Sequence, residues 1–396
     1  MIEFLLSGPK GDNPLGLLTA LGVVLTLNDA GHVARLGWDG VTPGLVASFD
    51  GIKDPETSGQ QRSLLIDVLY QQLQRKPGSG AARTEDAKKE MEAAKTAVKK
   101  KRGEIKKRRL DRNAAKEARD SELKPLQEDL QKREATFKRA LTDSAADPSV
   151  ALGKNLTELN VKLIDHTRAA YQRAKVMDRR WADLVAAYGV ADPANLEKRM
   201  AGSPWALVSG SGHQDFLSSV QELMVRCRKQ HFEQALFGAW NPQDEKYSLR
   251  LDVVDDRRYA LMDRNPTAGD NKPRTLWGAN RLAFEALRFF PAMPVRGGMA
   301  VRTWRPEKSS DWQENCRVRW PLWRQPIGVA TIHSLLGLRD LWLEEPADRE
   351  RLRALGVHAV MESRRIAVGQ GANRKYNLTP ATPVWIASSQ EKGAAA

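Results

Sequence analysis

Residues 14–27 have the pattern of an α-helix with almost no polar face, and such a helix is stable only when other elements cover it on every side. Asn13 stands at the N-cap position and Pro14 at the first helical position, where a missing N–H leaves no bond unmade. Gly16 and Gly22 lack a β-carbon and so allow another backbone to come close. The pattern predicts a buried helix that the rest of the fold surrounds.

The stretch before this helix is short and apolar, and it ends in a loop that contains glycine and proline. Residues 2–6 predict a strand, and residues 8–13 predict the loop. The loop is either a plain connection in the core or an anion site, because Lys10 and free N–H groups at a helix start suit a phosphate. We therefore predict Lys10 and Asn13 as nucleic-acid contacts. The spacing of a nucleotide-binding P-loop is absent.

The net charge of the chain indicates a polyanionic partner. The 396 residues include 63 Lys and Arg against 49 Asp and Glu, a formal net charge of +14. Nucleic acid is the first expectation, and an anionic membrane surface is the second. The sequence has no run of about eighteen apolar residues and no signal-peptide pattern, so we predict a cytoplasmic protein that does not span a membrane.

Charge is concentrated between residues 84 and 140, which hold 19 Lys and Arg and 12 Asp and Glu. Strong helix formers dominate this segment, and Met91, Val98 and Ile105 recur every seven residues. The pattern predicts a long helix with one thin apolar seam. Pro125 is predicted to start a second helix that completes a hairpin.

The most basic part of this segment runs from Lys95 to Arg112 and carries ten basic and two acidic residues. A solvated hairpin would also use helix-forming charges, but basic runs on neighbouring turns repel each other unless a polyanion is bound. We therefore favour phosphate contact. The predicted contacts are Lys99, Lys100, Lys101, Arg102, Lys106, Lys107, Arg108 and Arg109.

Composition divides the chain into three regions of an α+β fold. Residues 1–80 are predicted as an N-terminal α+β region, 81–190 as a basic helical insert, and 191–390 as a C-terminal α+β region rich in Trp and Arg. The insert includes an apolar seam with alternating three- and four-residue steps from 152 to 188, which predicts a coiled-coil-like helix.

Weaker patterns predict the remaining elements from apolar periodicity and from the positions of glycine and proline. The predicted strands are 35–38, 205–208 and 359–368, the predicted helices are 59–75 and 215–237, and the predicted loop is 40–55.

The last third of the chain holds seven of the eleven tryptophans, interleaved with arginine as in residues 317–324 (RVRWPLWR). That composition suits either a compact core or stacking against unpaired bases. A polar loop at 369–375 follows the predicted strand and offers N–H groups, amides and cations together. The contacts predicted here are Arg364, Arg365, Gln370, Asn373, Arg374 and Lys375.

Patterns typical of metal centres and enzymes are weak. Cys227 and Cys316 are far apart and the six histidines are scattered, so neither a disulfide framework nor a zinc site is predicted. Asp252, Asp255 and Asp256 leave open a metal-dependent nuclease, and the charged helices leave open a scaffold that binds RNA or protein. The leading interpretation is a binding protein with no catalytic residue, metal or cofactor.

Five stretches of the chain resemble one protein family. They are residues 11–22 (GDNPLGLLTALG), 255–261 (DDRRYAL), 277–287 (WGANRLAFEAL), 319–323 (RWPLW) and 363–369 (SRRIAVG). In this order they resemble the large-subunit-type proteins of CRISPR type I-G loci, formerly called I-U. The similarity covers roughly residues 1–50 and 250–385, and the basic insert lies outside it.

The resemblance implies a non-enzymatic subunit of an RNA-guided, Cascade-like surveillance complex. Such a subunit recognises the protospacer-adjacent motif, helps to open the DNA duplex into an R-loop and holds the displaced strand, while the guide RNA reads the sequence. The implied partners are the target duplex, the displaced single strand, the backbone subunits bound to CRISPR RNA, and a separate helicase-nuclease that cuts in trans. The resemblance assigns the reading of the motif to no individual residue.

Overall fold

The computed structural model has an α+β fold in which α-helices combine with antiparallel sheets. It describes residues 1–52, 56–73, 79–108, 111–143, 179–191, 200–207, 216–253, 274–295, 298–307, 315–368 and 375–387. These residues belong to two compact units. The α+β unit takes its described residues from 1–73 and 180–387, and the hairpin unit takes them from 79–143 together with residue 179. The described residues of the N-terminal and C-terminal regions therefore belong to one unit.

The elements follow one another in a simple order. The N-terminal part contains β1 (Ile2–Leu5), α1 (Pro14–Asp29), β2 (Val33–Asp39), β3 (Thr42–Ser48) and α2 (Ser58–Leu73). The hairpin unit contains α3 (Ser79–Lys107), α4 (Arg112–Ala118), a π-helical turn (Arg119–Leu123) and α5 (Lys124–Asp143). The C-terminal part contains α6 (Arg180–Tyr188), β4 (Gly189–Ala191), β5 (Met200–Gly202), α7 (Phe216–Arg226), α8 (Lys229–Phe237), β6 (Asp244–Glu245), β7 (Arg274–Thr275), α9 (Trp277–Ala286), β8 (Ala292–Val295), β9 (Gly298–Val301), β10 (Trp304–Pro306), β11 (Cys316–Trp323), α10 (Val329–Leu336), α11 (Pro346–Ala354), β12 (Val357–Val368), β13 (Lys375–Leu378) and β14 (Thr382–Ile386).

Helix α1 confirms the predicted buried helix. Asn13 is its N-cap, and the side-chain Oδ1 accepts hydrogen bonds from the N–H groups of Leu15 and Gly16 at 2.9 and 3.4 Å. Every residue from Pro14 to Leu27 is buried. A helix without a polar face has no side that water can cover favourably, so it lies inside the α+β unit.

The core of the α+β unit is the crossing of α1 with α9. A β-carbon at Gly22 would lie only 2.0 Å from the carbonyl oxygen of Leu282, so the two backbones touch at this glycine. Helix α9 is buried from Gly278 to Ala286. The predicted role of Gly22, close approach of a second backbone, is confirmed.

The N-terminal sheet has the strand order β1-β3-β2, and all of its pairs are antiparallel. Strand β3 corrects the loop predicted at 40–55, because inner and outer residues alternate along it. Gly40, at φ +56°, forms the tight turn from β2. Pro43 lies one residue past the last registered pair between β1 and β3, Leu5 with Gly44. There its carbonyl oxygen accepts a hydrogen bond from the N–H of Leu6 at 3.0 Å, so this central strand tolerates a residue that has no N–H to donate.

The C-terminal sheet has the order β10-β11-β12-β13, and β14 also pairs with β12. Strand β12 confirms the strand predicted at 359–368. Trp320 and Trp323 of β11 are buried, and their indole N–H groups donate to the carbonyl oxygens of Gly11 and Leu36 at 2.7 and 2.6 Å. These two tryptophans are therefore core residues that join the sheet to the N-terminal segment.

Two sequence predictions in the middle of the chain are wrong. The described part of the strand predicted at 205–208 is a turn at Trp205 followed by two residues without regular structure. Trp205 is buried by aromatic packing outside any strand, with ring centroids 5.1 and 5.0 Å from Phe290 and Trp304. The helix predicted at 215–237 is broken into α7 and α8. At the break, the backbone N–H of Arg228 donates to Nδ1 of His231 at 2.8 Å, which starts a new helix without glycine or proline.

Helix α2 confirms the helix predicted at 59–75 as far as Leu73, and the last two predicted residues lie outside the described part of the chain. Of the coiled-coil-like seam predicted from 152 to 188, only its end, within α6, lies among the described residues. Within the part of the chain that the structure describes, no helix is both long and apolar enough to cross a bilayer.

Candidate nucleic-acid interface

The hairpin unit presents the basic segment on a helix whose inner face is fixed. Met91, Val98 and Ile105 of α3 are buried, which confirms the seven-residue seam. Ala118 and Leu123 of the second arm pack against this seam, with Leu126 and Leu130 beside them. Because the seam fixes the rotation of α3, it also decides which cations face solvent.

The second arm differs from its prediction in one respect. Helix α5 begins at Lys124, as predicted from Pro125, but the arm already starts with α4 at Arg112. Asp111 caps α4 by accepting hydrogen bonds from the N–H groups of Asn113 and Ala114, each at 2.9 Å. The one-turn π-helix between α4 and α5 lets the arm continue without a second reversal.

Two of the predicted basic contacts are held within the hairpin. The guanidinium of Arg108 donates to both carboxylate oxygens of Glu122 at 2.6 and 3.2 Å. The ammonium of Lys101 lies 3.5 Å from Glu122 and 3.1 Å from Glu104. The hydrogen bond from Arg108, followed by its positive charge and the contacts with Lys101, lowers the pKa of Glu122. These two cations therefore join the two arms of the hairpin.

Five other predicted contacts form an exposed cation face, which we define as Lys99, Lys100, Arg102, Lys106 and Lys107. None of them has a hydrogen bond or an ion pair with another described residue. Lys99, Arg102 and Lys106 follow three- and four-residue steps, so they share one side of α3, while Lys100 and Lys107 form a parallel line. At about 1.5 Å per residue the face extends for roughly 12 Å along the helix. The eighth predicted contact of the segment, Arg109, lies outside the described residues.

Unpaired cations at this density attract a phosphate backbone. Each contact with a phosphate releases a condensed counterion, and this release contributes favourably to binding. The contact is strongest with a polyanion whose charges repeat along a line, as they do in a nucleic-acid strand. The structure therefore separates the predicted basic segment into an exposed cation face and a structural edge, and contact of the face with nucleic acid stays a prediction.

Lys10 and Asn13 are engaged within the α+β unit. The ammonium of Lys10 donates to Oγ1 of Thr42 at 3.0 Å, and Asn13 donates through Nδ2 to Oδ1 of Asp252 at 3.2 Å in addition to capping α1. The N–H of Gly11 donates to the carbonyl oxygen of Val41 at 2.7 Å. The loop is thus hydrogen-bonded as a structural connection, and its contact with nucleic acid stays a prediction.

The C-terminal contacts divide between two faces of the sheet. Arg364 has a half-exposed side chain, whereas Arg365 is buried with its guanidinium 3.9 Å from the ring centroid of Tyr376. Successive strand residues point to opposite faces, so these two arginines cannot form one patch. Gln370, Asn373, Arg374 and the side chain of Lys375 lie outside the described residues.

Sequence reasoning missed three arginines on the face of Arg364. The strand register places Arg305 opposite Arg317, and Arg317 opposite Arg364, with Arg319 two residues further along β11. The alternation of arginine and apolar residues in Arg317–Trp320 was the available signal, since it marks one polar face of a strand. This alternation does not show that β10, β11 and β12, which include residues far apart in sequence, pair side by side.

The carboxylate cluster of the nuclease alternative is only partly described. Asp252 is buried and accepts the hydrogen bond from Asn13, while Asp255 and Asp256 lie outside the described residues. Among the residues that are described, no group of three His, Cys, Asp or Glu side chains could hold a metal ion.

No protein-family model, no curated protein and no solved structure matches this chain.

Proposed function

We propose that the chain is a non-catalytic nucleic-acid-binding protein and that the exposed cation face of α3 is its main DNA-binding surface. The observation that supports this most strongly is the separation of cations on α3: Lys101 and Arg108 are ion-paired, whereas the five residues of the cation face are exposed and have no acidic partner among the described residues. Contacts of this kind increase affinity for any phosphate backbone and carry no sequence choice.

The resemblance to the large-subunit-type proteins of CRISPR type I-G loci supports a narrower proposal. The chain is then a DNA-binding subunit of an RNA-guided, Cascade-like effector complex in the cytoplasm. It recognises the protospacer-adjacent motif and stabilises the opened duplex and the displaced strand of the R-loop. The CRISPR RNA on the backbone subunits reads the target, and a helicase-nuclease recruited in trans cuts it.

Assembly with guide-loaded backbone subunits tests the narrower proposal. We expect the chain to co-elute with those subunits, and the complex to bind a target duplex with its flanking motif more tightly than one with a scrambled motif. Loss of one bidentate hydrogen-bonded contact between a side chain and a base of the motif should cost about 1–3 kcal/mol, or about 5- to 150-fold in affinity. Equal affinity for the two duplexes would contradict the proposal.

Substitutions in the polar loop test where the motif is read. Gln370→Ala with Asn373→Ala should narrow the affinity gap between the two duplexes and leave binding to single strands unchanged. The N-terminal double variant, Lys10→Ala with Asn13→Ala, is harder to interpret, because Asn13 caps α1 and its loss also lowers the stability of the fold. A gap that survives both variants would place the reading of the motif elsewhere.

A cleavage assay separates this proposal from the nuclease alternative. Incubation with DNA or RNA and Mg²⁺ or Mn²⁺ should leave the nucleic acid intact. Cleavage that disappears in Asp252→Asn or Asp255→Asn would show instead that the aspartate cluster is a metal-dependent active site.

A further inference from the structure

The outer face of the C-terminal sheet carries a row of arginines whose acidic partners, among the described residues, are one shared buried carboxylate and two exposed ones. Arg305, Arg317 and Arg364 lie directly opposite one another on β10, β11 and β12. Side chains in such pairs have β-carbons about 4.5–5.5 Å apart, and like charges in this arrangement destabilise a sheet. The row therefore needs either buried carboxylates or an external anion.

One buried carboxylate serves three guanidinium groups of this face. Glu362, whose side chain is 8% exposed, accepts from Nε of Arg319 at 2.7 Å and lies 3.9 Å from Arg317 and 3.6 Å from Arg364. A carboxylate has about four lone-pair sites, whereas three guanidinium groups present about fifteen N–H donors. Most of the donors therefore point away from Glu362.

The remaining partners of the row are weak or missing. Arg364 pairs with Glu307 at 3.2 Å and Arg305 pairs with Glu344, and both glutamates are well exposed, at 41% and 59%. Ion pairs at such a surface are weak and exchange readily for a stronger anion. Nε of Arg317 is buried and has no hydrogen-bond partner in the part of the chain that the structure describes.

Aromatic contacts hold one end of the row in place. The guanidinium carbons of Arg305 and Arg319 lie 4.4 and 5.2 Å from the ring centroid of Trp342, a half-buried residue at the end of a short 3₁₀ helix (Arg339–Trp342). Stacking on an indole orients the planar guanidinium without using its hydrogen-bond donors. Arg319 also donates through Nη1 to the carbonyl oxygens of Leu341 and Trp342 at 3.4 and 2.6 Å, so it positions the face. The donors of Arg305 that do not meet Glu344 stay available to a phosphate in a fork-like geometry.

We infer that this face, defined as Arg305, Arg317, Arg319, Trp342 and Arg364, binds the phosphate backbone of an unpaired nucleic-acid strand. An open sheet face that combines arginines with an aromatic ring is typical of single-strand binding, where duplex-sized grooves are not needed. The ligand class rests on the proposed function, but the site lies in the α+β unit and is separate from the cation face of α3. An acidic peptide is the competing ligand, and it is one outcome of the test.

Binding to a labelled oligothymidylate of about 16 nucleotides, a length typical of single-strand sites, tests the inference. Arg317→Gln with Arg364→Gln should weaken this binding at least about tenfold, because the variant removes two charge-assisted hydrogen-bonding groups. The matched control is Arg226→Gln with Lys229→Gln, which removes two exposed, ion-paired cations of the same unit at 49% and 53% exposure and should change the affinity less than about twofold. Unchanged single-strand affinity in the row variant would overturn the inference.

A second ligand and a second variant keep the outcome unambiguous. A duplex of the same length should still bind the row variant. The duplex should bind more weakly to a second variant, in which the five residues of the cation face of α3 are replaced by Gln. Loss of duplex binding in the α3 variant together with unchanged single-strand binding in the row variant leaves the proposed function standing and overturns only the site. No binding of either nucleic acid by the wild-type chain overturns both.

Arg364→Gln alone, at a side chain 55% exposed, serves if the double variant unfolds, and it should still weaken single-strand binding measurably. If oligothymidylate does not bind, and labelled polyglutamate binds the wild-type chain but not the row variant, the ligand is an acidic protein partner and the inference is contradicted.

Discussion

At the scale of single residues, position decides whether a glycine or a cation is structural or exposed. Gly22 and Gly44 are both glycines of the α+β unit, yet a β-carbon at Gly22 would meet the backbone of Leu282 at 2.0 Å, whereas one at Gly44 would meet nothing within 4 Å. Lys99 and Lys101 are neighbours, yet only Lys101 has carboxylate partners among the described residues. The residue type alone does not distinguish Gly22 from Gly44 or Lys99 from Lys101.

Substitution of the two glycines should separate their roles. Gly22→Ala should lower the free energy of unfolding by about 2 kcal/mol or more, because overpacking against a backbone outweighs the gain in helix propensity of about 1 kcal/mol. Gly44→Ala should change it by less than about 0.5 kcal/mol. Urea unfolding followed by tryptophan fluorescence measures this for the α+β unit, since residues 79–143 contain no tryptophan. Equal effects of the two substitutions would contradict the described helix crossing.

Glu122 should make the hairpin unit sensitive to acid. Its pKa is lowered from the ordinary 4.5, first by the hydrogen bond from Arg108, so its contribution to stability is present above pH 4.5 and is lost as the pH falls through the lower, folded-state value. We expect Glu122→Gln to reduce the melting temperature of the helical signal near neutral pH, and we expect the difference from wild type to disappear on acidification. Circular dichroism measures this. Glu128→Gln, at an exposed position of α5, is the control and should leave the melting temperature unchanged, whereas a pH-independent effect of Glu122→Gln would contradict the assignment.

At the scale of elements, the sequence predicts the helices and strands whose apolar pattern runs over many consecutive residues. Helix α1, the seam of α3 and strand β12 are confirmed because a consistent apolar pattern over ten or more residues outweighs single-residue exceptions. Strand β3 was missed because Gly40 and Pro43 usually mark loops, although here Gly40 makes a hairpin turn and Pro43 lies beyond the last pair with β1.

The candidate sites show the same limit. The exposed cation face of α3 could be located from the basic runs, but the helix rotation that separates it from Lys101 and Arg108 depends on packing against the second arm. The arginine row could not be found, because its three members come from strands whose register is set by pairing across residues far apart in sequence. Interactions of this kind are tertiary, and local sequence does not contain them.

At the scale of the whole molecule, the chain is built from two units. The α+β unit contains both the N-terminal and the C-terminal part of the chain, and the second unit is the basic hairpin. The hairpin carries the exposed cation face, whereas its second arm intersperses cations with acids, as in Lys116–Asp120. In the proposed function, α3 supplies affinity for phosphate and the α+β unit supplies the selective contacts. The central claim is therefore that the cations of α3, and not basic charge in general, bind the nucleic acid.

The dependence of duplex affinity on salt concentration tests that claim most directly. Two variants with five cations each replaced by Gln are compared with wild type: the cation face of α3, and the exposed cations of the second arm, Arg112, Lys116, Arg119, Lys124 and Lys132. Because the logarithm of the affinity changes by about 0.9 per phosphate contact for each unit of log salt, the first variant should flatten the slope by as much as about 4.5, and the second should leave it near the wild-type value. Equal flattening in both variants, or an unchanged slope in the first, would contradict the account.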